Sequence, residues 1–180
     1  MTLKRKAVLW IGAIAATTLL ISQDYIINKY NEYVSVYIRK DISYSDFTPK
    51  VKKQLDCLAE NVYYEARGES EEGKIAVAVV TLNRTKDKNF PSTICEVVHQ
   101  KSSTVCQFSW VCEQHKRPPK EVLNEYRQLV SAVYFNYKMG YNILDEVKHA
   151  MFYHADYVNP GWNKHGKVTK IGQHIFYNRI

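Results

Sequence analysis

A glutamate on the apolar side of a helix asks for a chemical explanation. Leu55, Leu58, Ala59, Val62 and Ala66 recur at helical spacing. With Leu55 at zero and about 100° per residue, Leu58 falls near ~300°, Val62 near ~340° and Ala66 near ~20°. Glu65 falls near ~280°, beside Leu58, whereas Glu60 falls near ~140°, on the opposite face, and reads as solvent decoration. Desolvation disfavours the charged form of a carboxyl and raises its pKa. A carboxyl still protonated near neutral pH is the general acid that glycosidic cleavage needs. The competing reading makes Glu65 a structural group paired with Arg67 or Arg84. Glu69 would stand near Glu65 if the helix continued, but Gly68 argues for a stop. Glu69 therefore reads as structural, bonding backbone amides of the following turn.

Other polar groups have types and spacing suited to ligand contacts. In "CQFSWVCE", Cys106 and Cys112 bracket Gln107, Phe108, Ser109 and Trp110. In an alternating extended loop Phe108 and Trp110 face the core. Gln107 and Ser109 then face outward, able to bond sugar hydroxyls or N-acetyl groups. Trp162 in "NPGW" is suited to stacking on a sugar face. His154, His165 and His174 have no standard metal spacing, so neither a metal nor another cofactor is expected.

The positioning elements follow from periodicity. A helix precedes Gly68. Ser70 caps a second, with Glu71 and Glu72 in its first turn. Its body, "KIAVAVVTLNR", is apolar nearly all round; its length and start signals favour helix over buried strand. Pro118 and Pro119 open a third helix, with Val122, Tyr126, Leu129, Val130, Val133 and Tyr137 as its core stripe and Gly140 closing it. The tail, "HAMFYHADYV", "NPGW" and "KIGQHIFYNR", reads as short extended segments. Helices first and small strands last predict a helix-dominated α+β domain over residues 50–180.

The N-terminus has a different character. Lys4, Arg5 and Lys6 precede an apolar run from Ala7 to Ser22, about 16 residues against the ~17–25 that span a bilayer. The pattern predicts an uncleaved signal anchor over 1–22, with the remainder on the extracytoplasmic side. A cleaved export signal and a buried helix are the alternatives. Residues 23–49 read as a linker of helical spacing ended by Pro49. Export makes Cys57, Cys95, Cys106 and Cys112 candidates for two disulfides, with three possible pairings. A Cys–His amidase would require Cys57 or Cys95 as a free thiol. The net charge is +7 over 180 residues, which favours an anionic partner such as cell wall. An exported chain without a recognisable binding motif is not expected to bind nucleic acid.

"CLAENVYYEARGESEEGKIAVAVVTLNR", "ICEVVHQ", "CQFSWVCE", "FYHADYVNPGW" and "KIGQHIFY" together resemble the SleB/CwlJ-type cell wall hydrolase family, from Cys57 to Tyr177. The resemblance implies a lysozyme-like domain that cleaves peptidoglycan glycan strands between N-acetylmuramic acid and N-acetylglucosamine. It implies Glu65 as the catalytic acid and brings Tyr153 and His154 to the cleft as substrate-binding residues, where His154 could position the N-acetyl group or tune Glu65. It also suggests a lytic transglycosylase, in which one glutamate protonates the glycosidic oxygen. The same residue then takes the proton of the sugar's own C6 hydroxyl, closing a 1,6-anhydro ring. The lack of an obvious second acid fits that route better than a two-carboxylate hydrolysis. A hydrolytic muramidase or glucosaminidase and a non-catalytic wall-binding module are the alternatives. The short anchor also resembles that of phage signal-anchor-release endolysins; a bacterial wall-remodelling or spore-germination enzyme is the other setting. The expected partners are glycan strands and, through residues 7–22, the inner membrane, with the protein a monomer.

Overall fold

Thr48 and Pro49 start the first helix. The computed structural model describes residues 41–179 apart from 104, 114 and 161–165. The predicted anchor over 1–22, residues 23–40 of the linker, Trp162 and His165 lie outside the described residues. Among the described residues no helix is long and apolar enough to cross a membrane.

Helix α1 runs Pro49–Ala66, with Thr48 as N-cap accepting from the Val51 amide. Pro49, whose missing N–H costs nothing in a first turn, begins this helix. Leu55, Leu58, Ala59, Val62 and Ala66 are all buried, as their spacing predicts, and Asn61 is buried with them. A 3-10 turn, Tyr44–Asp46, packs just ahead of it. There Tyr44 Oη donates to Asp56 at 2.9 Å, and the Gln128 side chain donates to the Ile42 carbonyl at 2.6 Å.

Helix α2, Glu71–Arg84, is the centre of the domain. Ser70 caps it, and every residue from Ile75 to Arg84 is buried. That all-round burial is why its sequence lacks a polar face. Short helices follow at Ile94–Val98 (α3) and Ser109–Cys112 (α4). Helix α5, Lys120–Lys138, packs on α1 and α2 and ends at Met139 and Gly140, whose φ is +79°. Its buried stripe includes Tyr126, Val130 and Val133. Leu123 is the fully buried apolar residue of its first turn, while Val122, Leu129 and Tyr137 of the predicted stripe are partly buried and pack against the core. Cys57 bonds Cys95 and ties α3 to α1; Cys106 bonds Cys112 and closes the loop that carries α4.

Three antiparallel strands complete the domain: β1 (Ala150–Ala155), β2 (Lys167–Ile171) and β3 (His174–Asn178), in the order β1-β3-β2. Phe176 on β3 is fully buried, on the sheet face that carries Tyr153. A two-residue turn, Gly172–Gln173, joins β2 to β3, with Gly172 at φ +56°. Positive φ at the first central position is what a II′ hairpin demands. A Cβ on Gly172 would also sit 1.8 Å from Glu69 Oε2. Gly172→Ala is therefore expected to destabilise the domain by about 2–3 kcal/mol, measured by urea unfolding; a loss under a few tenths would show that the turn and Glu69 yield freely.

Candidate active site

Glu65 sits in the last turn of α1, on the face turned toward α2 and the sheet. Tyr153 Oη, from β1, donates to Glu65 Oε2 at 3.1 Å. Arg84, the last residue of α2, places its positive charge near both groups. Burial raises the Glu65 pKa above the usual carboxylate range. The Tyr153 bond and then the Arg84 charge oppose that rise, while the Glu113 charge adds to it. Burial also lifts the Tyr153 phenol well above its ordinary value, with the Glu65 charge adding to the effect, so it remains a proton donor in its bond to Glu65. The other glutamate of the helix behaves differently. Its spacing predicts solvent decoration for Glu60. Glu60 instead bonds the Arg117 guanidinium at 3.0 Å, and its side chain is 18% exposed.

Several groups hold this geometry. Asn61, one turn before Glu65, accepts from Trp110 Nε1 at 3.0 Å and donates to Thr81 Oγ1 at 3.2 Å. Thr81 in turn donates to the Val77 carbonyl. This buried chain locks the disulfide-closed loop onto α1 beside Glu65, and Trp110 also stacks on Tyr64 at 4.5 Å. Glu69 is largely buried. Its Oε2 accepts from the backbone amide of Gln173 at 3.2 Å, and its Oε1 lies 3.8 Å from His174 Nδ1. The amide it serves thus belongs to the distant β2–β3 turn. The following helix is capped by Ser70 instead. His174 meets the Tyr153 ring edge-on at 5.2 Å. Burial lowers the His174 pKa, opposed by Glu69 and Asp156 and reinforced by His154.

The sequence candidates separate in space. Glu65 and Tyr153 come together. His154, the next residue on β1, stacks on Tyr177 and hydrogen-bonds its hydroxyl at 2.9 Å. Strand alternation puts it on the opposite face of the sheet from Tyr153. Gln107 and Ser109 are exposed on the loop closed by Cys106–Cys112, either side of the buried Phe108. Ser109 begins a helical turn, and Trp110 is half-buried on α1. Asn61, Thr81 and Glu113 escaped the sequence reading; the step of four from Asn61 to Glu65 is the one signal that would have found Asn61.

All four cysteines are disulfide-bonded, which removes a thiol nucleophile. Among the described residues no cluster of His, Cys, Asp or Glu is fit to hold a metal. A cavity of about 530 Å³ between the ends of α2 and α5 is lined by Lys86, Tyr137, Lys148 and His149 among others. Among the described residues no Asp or Glu lines it, so it offers no carboxyl to protonate a glycosidic oxygen.

The chain has clear relatives. It is 31% identical over 122 residues to the spore cortex-lytic enzyme of Bacillus subtilis, covering 66% of this chain and 35% of that protein. It is 30% identical over 128 residues to the Oceanobacillus iheyensis enzyme of the same name, covering 69% and 41%. The chain thus spans less than half the length of these curated relatives. Among solved structures, the catalytic domain of the germination-specific lytic transglycosylase SleB from Bacillus anthracis is similar. That match has a TM-score of 0.53 and 27% identity, covering 73% of this chain and 97% of that one. The catalytic domain of Bacillus cereus SleB matches with a TM-score of 0.51, also at 27% identity, covering 69% and 89%. The family described as Cell Wall Hydrolase matches residues 68–177, beginning just after Glu65 and spanning more than half of the chain, and the chain belongs to that family.

Proposed function

We propose that this protein cleaves peptidoglycan glycan strands between N-acetylmuramic acid and N-acetylglucosamine as a lytic transglycosylase of lysozyme-like fold. One observation carries the reading: Glu65 is held in a desolvated site that favours its protonated form, with a tyrosine hydroxyl bonded to the oxygen Oε2. The carboxyl so oriented protonates the glycosidic oxygen as the C1–O bond breaks. The resulting carboxylate takes the proton of the sugar's C6 hydroxyl as that oxygen bonds C1. One carboxyl thus serves as acid and then base. Glu69, committed to the Gln173 amide and facing His174, is not available as a second base. The name of the Bacillus anthracis relative supports the same chemistry.

In this reading Gln107, Ser109 and Trp162 contact the glycan, Tyr153 orients the acid, and His154 supports the strand from its far face. The protein acts as a monomer on the extracytoplasmic side of the inner membrane, held by residues 7–22. Two disulfides suit an oxidising compartment. Mass spectrometry of muropeptides released by the purified protein tests the chemistry. Products lighter by one water than the hydrolytic fragments are expected. Hydrated reducing ends would make it a hydrolase, and sedimentation with the wall without soluble fragments would make it a binding module.

A further inference from the structure

Arg84 is 3% exposed, at the end of the buried helix α2. Its Nε donates to the Met151 carbonyl at 2.8 Å, two residues before Tyr153 on β1. The guanidinium carbon lies 5.2, 5.4 and 5.8 Å from the ring centroids of Phe90, Phe108 and Phe152. Its Nη1 is buried and has no hydrogen-bond partner among the described residues. An anchoring role for β1 needs only the Nε bond, which a neutral donor could make. It does not explain a full charge in a dry site, nor a spare donor, both of which cost stability. The three rings hold the cation without neutralising it. Its field therefore acts on Glu65 and Tyr153, the ionisable groups it interacts with electrostatically, at low local dielectric.

We propose that Arg84 is a positioning residue for the reaction: its uncompensated buried charge stabilises the Glu65 carboxylate that forms when the acid gives its proton to the leaving sugar oxygen. This rests on the function proposed above. In the first half of the reaction Glu65 loses a proton and becomes an anion inside an apolar pocket. Burial alone would make that step costly. A fixed cation already in place needs no reorganisation at that moment. In the second half the carboxylate recovers a proton from the C6 hydroxyl, and the site returns to its starting state. Among the described residues, the charged and titratable groups that act on Glu65 are Arg84 from α2, Tyr153 from β1 and Glu113 from the end of α4, and Arg84 is the one positive member.

The test compares Arg84→Gln with Arg84→Lys in the otherwise intact protein. For each, the pH profile of turnover on purified peptidoglycan and the carbon-13 carboxyl titration of Glu65 are measured. Loss of the Glu65 proton sets the alkaline limb. Removing a nearby positive charge makes that proton harder to lose, so the limb and the titration both move to higher pH in Arg84→Gln. Turnover falls roughly 10–100-fold with KM little changed. Arg84→Lys keeps the charge and so keeps the limb near wild type, although it loses the Nε–H that bonds Met151. An unmoved limb in Arg84→Gln, or equal displacement in both variants, overturns the proposal and leaves Arg84 a strand anchor. If Arg84→Gln does not fold, Arg84→Met, which removes the charge and leaves no unpaired donor, takes its place: a Glu65 titration moved to higher pH supports the proposal, and an unmoved one overturns it. Inactive Glu65→Gln beside an unmoved Arg84→Gln profile would sink this inference alone; active Glu65→Gln would sink the function beneath it.

Discussion

Glu65→Gln loses at least about 10³-fold in muropeptide release, the upper part of what a positioned general acid supplies. The variant stays folded. Its amide oxygen still accepts from Tyr153 Oη at the Oε2 position, and it buries no new charge. Its stability therefore changes by less than about 1 kcal/mol. Binding to insoluble wall is retained, because the removed group is the proton donor and the sugar contacts are untouched. Turnover of soluble glycan fragments, thermal unfolding and sedimentation with peptidoglycan separate these effects. A variant with wild-type release and an unchanged melting temperature would exclude Glu65 as the acid and require another proton source.

Tyr153→Phe produces a smaller and more diagnostic change. The ring keeps its contacts with His174 and Phe176, so the sheet packs as before. The lost hydroxyl leaves Glu65 Oε2 without its donor. A hydrogen bond to a charged group is worth about 1.5–3 kcal/mol, equivalent to roughly 10–150-fold in rate. The sign of the pH effect follows from the direction of that bond. Tyr153 donates to Glu65 and so favours the ionised carboxyl, holding its pKa down against burial. Without the bond the proton is held more tightly, and the alkaline limb of activity moves to higher pH while the maximum rate falls. A limb that moves to lower pH would show that the hydroxyl does not serve Glu65.

These two variants act on one triad drawn from three elements: the end of α1, the end of α2 and the middle of β1. Its members are 19 and 69 residues apart along the chain (65 to 84, 84 to 153). The protein brings them together by burying α2 on all sides, so that its last residue emerges between α1 and the sheet. Glu69 secures the remaining side. It bonds the β2–β3 turn and so seats His174 and Phe176 behind Tyr153.

Much of this was legible in the sequence, and the physical reason is local. Helical spacing places Leu55, Leu58, Val62, Ala66 and Glu65 relative to one another whatever surrounds them, so the buried face of α1 and the side occupied by Glu65 could be read directly. Ser70, Gly140 and the proline pair at 118 and 119 mark helix ends for equally local reasons, in cap bonds and allowed backbone angles. Tertiary structure alone decided the rest, because it depends on which surfaces meet. Nothing within a few residues of Arg84 indicates that three phenylalanines from separate segments will surround it. Period-two alternation separates Tyr153 from His154, but only the docking of β1 determines which of them meets Glu65. The amide that Glu69 accepts from lies 104 residues away; the three disulfide pairings open to the sequence were reduced to one by the packing of α3 against α1.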